Sequence, residues 1–486
     1  MNSAKTCRIK LLYIGQGVYE MAELPTDYQT KYRQLMDDDA DEFFAAFDQP
    51  VVKAFRINPL KANQQLYDTP TNGQVPWGKW GYFGVAKGHS VDHTTGLIYS
   101  QEPSAQLVGE LAQPQPGERV LDLAAAPGGK STHLASFMNQ QGLLVSNEIF
   151  RKRAQILSEN IERFGVQNAL VTNHSPQELS KKFPQYFDRI VLDAPCSGEG
   201  MFRKDPDAMQ YWHKDYPAEN ATRQREILVE TMKMLKPGGT LVYSTCTFAP
   251  EEDEQIIAWL LAEYPDLHLV DVPKHDGMSD GRPAWADGNP ELAKTVRLFP
   301  QSVAGEGHFM AKLQYQPTDV VPAKEPKLAK TNLTAEQRQY WEKFQQQLLP
   351  NYQPGVLLAF GDQLYAVPTG TPDLKGLQVL RAGLHLGTFK KKRFEPSLAL
   401  ALALHSDQFI QRYTLNDEEW RQYVHGDTFM LPSSVENLTN GWYLLELNGN
   451  GVGFGKLVNR QMKNFYPKGL RFIVHENQTN LADDIY

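Results

Sequence analysis

A chain of 486 residues with 41% apolar and 22% charged side chains has the make-up of an ordinary globular protein, long enough for roughly two to four domains. Three cysteines exclude a disulfide scaffold and fit a reducing cytoplasm, none sits in a CxxC pair, and the 12 histidines lack ligand spacing, so no metal site is expected. The net charge of -8 is not that of a generic nucleic-acid binder, no secretory signal opens the chain, and the longest apolar run, LALALAL at 398–404, falls far short of the roughly 18 residues a membrane helix needs.

Residues 1–20, with Cys7, are unlike the rest of the chain. Met21 opens MAELPTDYQTKYRQL, which reads as a natural N-terminus, so 1–20 is either a non-native extension or a short added strand. A helical pattern covers 24–47, with Leu35, Phe43, Phe44 and Phe47 as apolar anchors. VVKAFRINPLK, at 51–61, reads as a strand and turn ended by Asn58 and Pro59. Trp77, Trp80, Tyr82 and Phe83 come next in a glycine-rich stretch; they suit base stacking, but the core of a small domain is the commoner use. A helix is predicted over 104–111, and then strands and helices alternate. The strands are 119–123, 143–147, 169–172, 188–193 and 240–245. The clearest helix carries Ala154, Leu157, Ile161 and Phe164 on one face and stops at Gly165. A second ends in LKPGGT at 235–240. This alternation implies a parallel, doubly wound α/β sheet. Residues 315–332 hold three prolines and no periodicity, as an interdomain linker does. Beyond them the pattern changes to short strands with Gly and Pro turns. Two basic patches stand there, Lys390, Lys391, Lys392 and Arg393, and then Lys456, Arg460, Lys463, Lys468 and Arg471 within GKLVNRQMKNFYPKGLR. Either is a solvated face or a phosphate-binding surface.

Ala124-Ala125-Ala126-Pro127-Gly128-Gly129-Lys130 comes after a strand and precedes a helix. Small residues let the backbone approach a ligand, and the helix N-terminus offers N–H groups to a carboxylate. Lys130 can reach that carboxylate or point to solvent. Glu148 ends the next strand, 26 residues after Asp122, where doubly wound folds place the acid that binds ribose hydroxyls. The GxGxxG and GxxxxGK[ST] spacings are both absent, which favours an adenosine cofactor without a pyrophosphate, S-adenosylmethionine. Two cysteines lie just past strands: Cys196 in DAPCSGEGMFRKDP, close to Asp193, and Cys246 in YSTCTFAPEEDE. Both can face one pocket. A helix is predicted to start near Pro250, with Glu251, Glu252 and Asp253 in its first turn.

Together, Asp193-Ala194-Pro195-Cys196-Ser197-Gly198, Ser244-Thr245-Cys246-Thr247 and the 124–130 loop resemble the Sun/Fmu family of RNA (cytosine-5) methyltransferases, and most closely its bacterial RsmF branch. The core resemblance spans about 93–313, and FRINPLK and KNFYPKGLR extend it. It implies an α/β fold: a doubly wound, Rossmann-like S-adenosylmethionine methyltransferase core, a small N-terminal α+β domain and a C-terminal PUA-like mixed β domain. The boundaries implied are 21–100 for an N-terminal RNA-binding domain, 101–314 for catalysis, 315–332 for the linker and 333–486 for C-terminal RNA binding.

The resemblance also implies roles. Cys246 attacks carbon-6 of cytosine, Cys196 assists release, and Asp193 holds the ring. Ala124, Ala125, Ala126, Pro127, Gly128, Gly129, Lys130, Glu148 and Asp193 line the cofactor site, and Ser175 stands where an acidic contact is usual. Lys204 and Asp205 position the RNA strand. The family's last core motif usually has a histidine where Gln301 stands, so no role is assigned there. The expected partner is RNA, either ribosomal RNA or the small ribosomal subunit, with no membrane, a monomeric state and a cytoplasmic location. The competing readings are a tRNA cytosine-5 methyltransferase, a DNA cytosine methyltransferase with Cys196 as nucleophile, and a non-catalytic ribosome assembly factor.

Overall fold

A computed structural model of the chain describes residues 9–14, 17–433, 435 and 438–474; Cys7 lies outside the described residues. Ile9–Ile14 and Gly17–Ala22 pair as an antiparallel hairpin. The chain divides into two compact units. One comprises Met1–Lys53, Glu102–Ala112 and Pro176–Ala323, the other Ala54–Gln101, Gln113–Ser175 and Lys324–Tyr486.

In the first unit the strands Phe187–Asp193 and Leu235–Thr245 run parallel, with Asp193 opposite Ser244. His308–Tyr315 lies antiparallel on the far side of Leu235–Thr245 and carries Val296–Leu298 and Leu267–Val270. Residues 188–193 and 240–245 are strands as expected, and the second strand begins earlier, at Leu235, through the KPGG segment. The predicted helix over 24–47 is two helices, Thr26–Met36 and Ala40–Ala46, joined by one turn of 3-10 helix. Their aromatic face, Tyr28, Tyr32, Phe43 and Phe47, packs with Phe202, Trp212, Phe248 and Phe299. Aromatic rings give this core large buried area with edge-to-face contacts, such as Phe43 against Phe248 at 5.1 Å.

In the second unit Arg119–Asp122, Leu143–Asn147 and Ala169–Thr172 are parallel neighbours, connected by the helices Gly129–Met138 and Arg151–Phe164. Ala154, Leu157, Ile161 and Phe164 are all buried, as their spacing predicts. Gly165 caps that helix at φ +77°, and a Cβ there would lie 2.6 Å from the Leu402 carbonyl, so no other residue fits. The edge beyond Ala169–Thr172 is closed by Val379–Ala382, which pairs antiparallel with it from the far side of the 315–332 segment. Ala54–Ile57 forms a three-stranded sheet with Gly81–Phe83 and Ile98–Ser100. Here the aromatic cluster packs internally: Trp77 is buried, Tyr82 stacks on Phe55, and Trp80 meets His133 and Phe137. After the helix Ala335–Leu348 comes a four-stranded antiparallel sheet, then a five-stranded sheet with the helix Asp417–His425. Among the described residues no helix is long and apolar enough to cross a membrane.

Candidate active site

The loop 124–130 is built by what surrounds it. Gly128 has φ +123° and precedes the helix Gly129–Met138 without a side-chain cap, so the first N–H groups of that helix are not consumed by a capping residue. A Cβ on Gly129 would lie 3.2 Å from the Gln101 amide. The loop carbonyls are held from outside: Arg153 donates to Ala126 O at 2.9 Å and Asn160 to Pro127 O at 3.0 Å. Ser131 donates to the Asp122 carboxylate at 2.7 Å, and Ala125 N–H donates to Asn147 O at 2.8 Å. Arg56, fully buried, donates to Gly129 O and Thr132 Oγ1, each at 2.8 Å, and to Gln101 at 2.5 Å. Lys130 is the second residue of the helix and is half-buried.

Glu148 directly follows the strand Leu143–Asn147, with only 2% of its surface exposed. One carboxylate oxygen accepts from Phe150 N–H at 2.9 Å, and Arg153 stands 3.4 Å from the other. The loop after Thr172 wraps around it: the Asn173 amide donates to Glu148 O at 2.7 Å, and His174 N–H donates to Asn147 Oδ1 at 3.1 Å. His174 Nε2 in turn accepts from Gln378 N–H at 2.8 Å, which ties this loop to the edge strand. Ser175 comes next, half-buried and without a carboxylate. A small-residue cradle, a helix N-terminus and a buried carboxylate at the next strand end fit an adenosine cofactor with ribose hydroxyls and a carboxylate.

The cysteines lie in the other unit. Cys196 comes after Phe187–Asp193, Cys246 after Leu235–Thr245, and their sulfurs are 3.4 Å apart. Backbone bonds lock the two loops together, Ala194 N–H to Ser244 O at 2.8 Å and Gly200 N–H to Cys246 O at 2.9 Å. Ser244 Oγ donates to Asp193 Oδ1 at 2.7 Å, which orients that carboxylate. Its hydrogen bond to Cys246, burial, and the nearby charges of Glu252 and Asp193 push the Cys196 thiol well above its ordinary value.

The acidic run after Cys246 departs from expectation. No helix starts at Pro250; residues 250–253 form a turn, and the helix runs Glu254–Glu263. Glu252 and Asp253 are fully buried instead of lining an exposed first turn. The Asp253 carboxylate accepts from Thr245 Oγ1 at 2.6 Å, and the buried Arg297 guanidinium lies 3.0 Å from it and bonds both oxygens of Glu254. Tertiary bonds outcompete the local helix-start signal here.

Lys204 and Asp205 are exposed, whereas their neighbour Arg203 is pinned to Glu306 at 2.7 Å and to Gly305 O at 2.8 Å. Lys390, Lys391, Lys392 and Arg393 form the exposed turn between two strands. The second basic patch splits. Arg460 donates to Val435, Leu431 and Pro432 carbonyls, and Arg471 to the Tyr466 carbonyl, so both brace the backbone. Lys456 and Lys463 are cross-strand partners, Lys456 lies 5.6 Å from the Trp442 ring centre, and Lys468 is exposed.

A doubly wound arrangement with this loop and acid defines a Rossmann-like, S-adenosylmethionine-dependent methyltransferase. Comparison with known proteins narrows the class. The family described as 16S rRNA methyltransferase RsmB/F matches residues 110–314, the RsmF N-terminal domain 24–103, the RsmF first C-terminal domain 343–404 and the RsmF PUA domain 411–472. The chain is 30% identical over 472 residues to ribosomal RNA small subunit methyltransferase F of Escherichia coli O127:H6, covering 92% of this chain and 96% of that one. It is 32% identical over 455 residues to the protein of that name in Shewanella loihica, with 88% and 91% covered. A methyltransferase homolog from Pyrococcus horikoshii superposes with TM-score 0.51 at 30% identity, over 59% of this chain and 93% of that one. NSun6 from the same organism, solved with SFG, shares the fold at 19% identity and TM-score 0.52, over 60% and 98%. The chain belongs to the RsmF family of 16S ribosomal RNA methyltransferases.

Proposed function

We propose that the chain methylates carbon-5 of cytosine in 16S ribosomal RNA through a covalent intermediate on Cys246. The observation that carries this reading is the pair of thiols 3.4 Å apart, just past the ends of adjacent parallel strands and close to the Ser244–Asp193 contact. When bound, S-adenosylmethionine supplies a methyl group as an electrophile on sulfur. Ala124, Ala125, Ala126, Pro127, Gly128, Gly129, Lys130 and Glu148 hold it, and Asp193 takes part; Ser175 contributes no charge.

Cys246, as its thiolate, adds to carbon-6 of a cytosine turned out of its stack, while Asp193 hydrogen-bonds the ring protonated at N3. Addition at carbon-6 makes carbon-5 nucleophilic, and carbon-5 takes the methyl group. A base then takes the carbon-5 proton, the C–H electron pair forms the carbon-5–carbon-6 double bond, and the carbon–sulfur bond breaks with its electron pair returning to Cys246. Cys196 assists that release. A second thiol at the matching end of the neighbouring strand argues against the DNA-methyltransferase assignment, in which Cys196 alone would be the nucleophile. Lys204 and Asp205, the 390–393 turn, Lys456, Lys463 and Lys468 are proposed RNA contacts; for Arg460 and Arg471 the backbone bonds supply an alternative role. The proposed setting is a monomer in the cytoplasm, with an RNA-binding domain at 21–100, catalysis at 101–314, a linker at 315–332 and C-terminal RNA binding at 333–486.

Cys196→Ala and Cys246→Ala, each incubated with 16S ribosomal RNA and cofactor and run on a denaturing gel, test the reading. Cys196→Ala is expected to trap a protein–RNA adduct, and Cys246→Ala to be inactive with none. An adduct and methylation by Cys246→Ala would reverse the roles. Modification of transfer RNA in place of 16S RNA would favour the tRNA alternative.

A further inference from the structure

The Glu252 carboxyl touches neither sulfur, yet it joins the loops that carry both. Its Oε1 accepts from Ser197 N–H at 2.9 Å and from the Gln224 amide at 3.0 Å, and its Oε2 is bonded to Ser197 Oγ. The same Gln224 amide donates to Pro195 O at 3.0 Å. The residues on either side of Cys196 are therefore gripped by one carboxyl–amide pair. From Ser197 Oγ the network continues to Thr247 Oγ1 at 2.7 Å, beside Cys246. Glu252 is itself anchored at its backbone: Tyr243 OH donates to its carbonyl at 2.7 Å, and its N–H donates to Ala249 O at 3.0 Å.

Burying a carboxyl is unfavourable unless its oxygens are bonded. These side-chain bonds of Glu252 go to the Cys196 loop or to Gln224, which holds that same loop, and none of them builds a helix or a sheet ladder. A residue needed only for the core would be met more cheaply by an apolar side chain of the same volume. We infer that Glu252 is a positioning residue that, through Ser197 and Gln224, holds Cys196 at its working distance from Cys246 and so sets how fast the covalent adduct is resolved. The inference rests on the roles proposed for the two cysteines.

The test uses the full chain with 16S ribosomal RNA and S-adenosylmethionine, monitoring adduct and methylated product over time on denaturing gels. Because displacement of a reacting group by about 1 Å costs on the order of a hundredfold in rate, Glu252→Ala is expected to raise the standing adduct at least about tenfold and to lower kcat while leaving KM for the cofactor within about twofold. Glu252→Gln keeps the shape and the Oε1 acceptor and is expected to bring turnover back to within about threefold of the unaltered chain. Ser197→Ala removes only the hydroxyl link and is expected to accumulate adduct to a smaller degree; it carries the test if Glu252→Ala does not fold. Resolution of the adduct at the unaltered rate by folded Glu252→Ala or Ser197→Ala overturns the inference, provided Cys196→Ala traps adduct in the same assay. If Cys196→Ala traps none, the assignment of the cysteines has failed, and the positioning role with it.

Discussion

The sulfurs of Cys196 and Cys246 stand 3.4 Å apart, in hydrogen-bond contact and between two loops whose backbones are bonded to each other. Neither sits in an apolar strand interior, where a buried thiol is inert packing. The pair has consequences under oxidising conditions and in catalysis alike.

Hydrogen peroxide is expected to join the two, since closing to the ~2.05 Å of a disulfide needs only small side-chain rotation. The reaction converts both thiols to one S–S bond and reduces the peroxide to water. Non-reducing peptide mapping should show a Cys196–Cys246 cross-link, with methylation lost and then restored by dithiothreitol. Absence of the Cys196–Cys246 cross-linked peptide from the peroxide-inactivated chain, or a failure of dithiothreitol to restore activity, would count against a disulfide.

Burial pushes the Glu252 carboxyl up to about 8, against the lowering effect of its bonds from Ser197 and Gln224. A group whose folded pKa lies above its unfolded value contributes stability that is full below the unfolded pKa and is lost as pH rises through the folded one. The window is therefore from about pH 4.5 to about 8. Urea denaturation of the unaltered chain and of Glu252→Gln across that window should show the variant gaining relative stability with rising pH, by at most about 1.4 kcal/mol per pH unit. Parallel curves would mean that the carboxyl ionises as readily folded as unfolded.

Arg297 is fully buried against Asp253 and Glu254 and donates to Phe248 O at 3.1 Å. Arg297→Met removes the guanidinium while leaving volume in place. Stranding a buried partner costs about 3–5 kcal/mol, which should appear as a lower denaturation midpoint at unchanged slope. A loss below about 1 kcal/mol would show that the acids shed their charge by binding protons once the guanidinium is gone.

Arg56 comes from the FRINPLK segment but spends its hydrogen bonds on the start of the helix after Gly128. Arg56→Met should weaken S-adenosylmethionine binding about tenfold, the worth of roughly one charge-assisted hydrogen bond. Isothermal titration measures it directly, and an unchanged Kd in a folded variant would refute a role for Arg56 in cofactor binding through the 124–130 loop.

Much of this was legible in the sequence. Strand positions emerged from apolar runs bounded by turns, and the face carrying Ala154, Leu157, Ile161 and Phe164 is buried along its length. The loop at 124–130, Glu148 and the two cysteine motifs sit at strand ends because their composition, small residues and turn formers after apolar stretches, says so. What local pattern could not reveal is where a polar side chain spends its bonds. Glu252 and Asp253 have the composition of a helix first turn, yet they are drawn inward by Ser197, Thr245 and Arg297. Arg460 and Arg471 look like members of a charged surface until their guanidinium groups are seen on backbone carbonyls.

The least legible element is Val379–Ala382, which caps the sheet at Ala169–Thr172 from some two hundred residues downstream, with Arg381 paired to Glu162 and Gln378 bonded to His174. A chain cut short within the 315–332 segment would lay bare the hydrogen-bonding groups of 169–172, an open template for stray strands from other molecules. It would also cast adrift the His174 loop beside Glu148. The downstream part is thus a keystone of the sheet, and exchanging it between relatives by recombination would demand that both sides of that seam travel together.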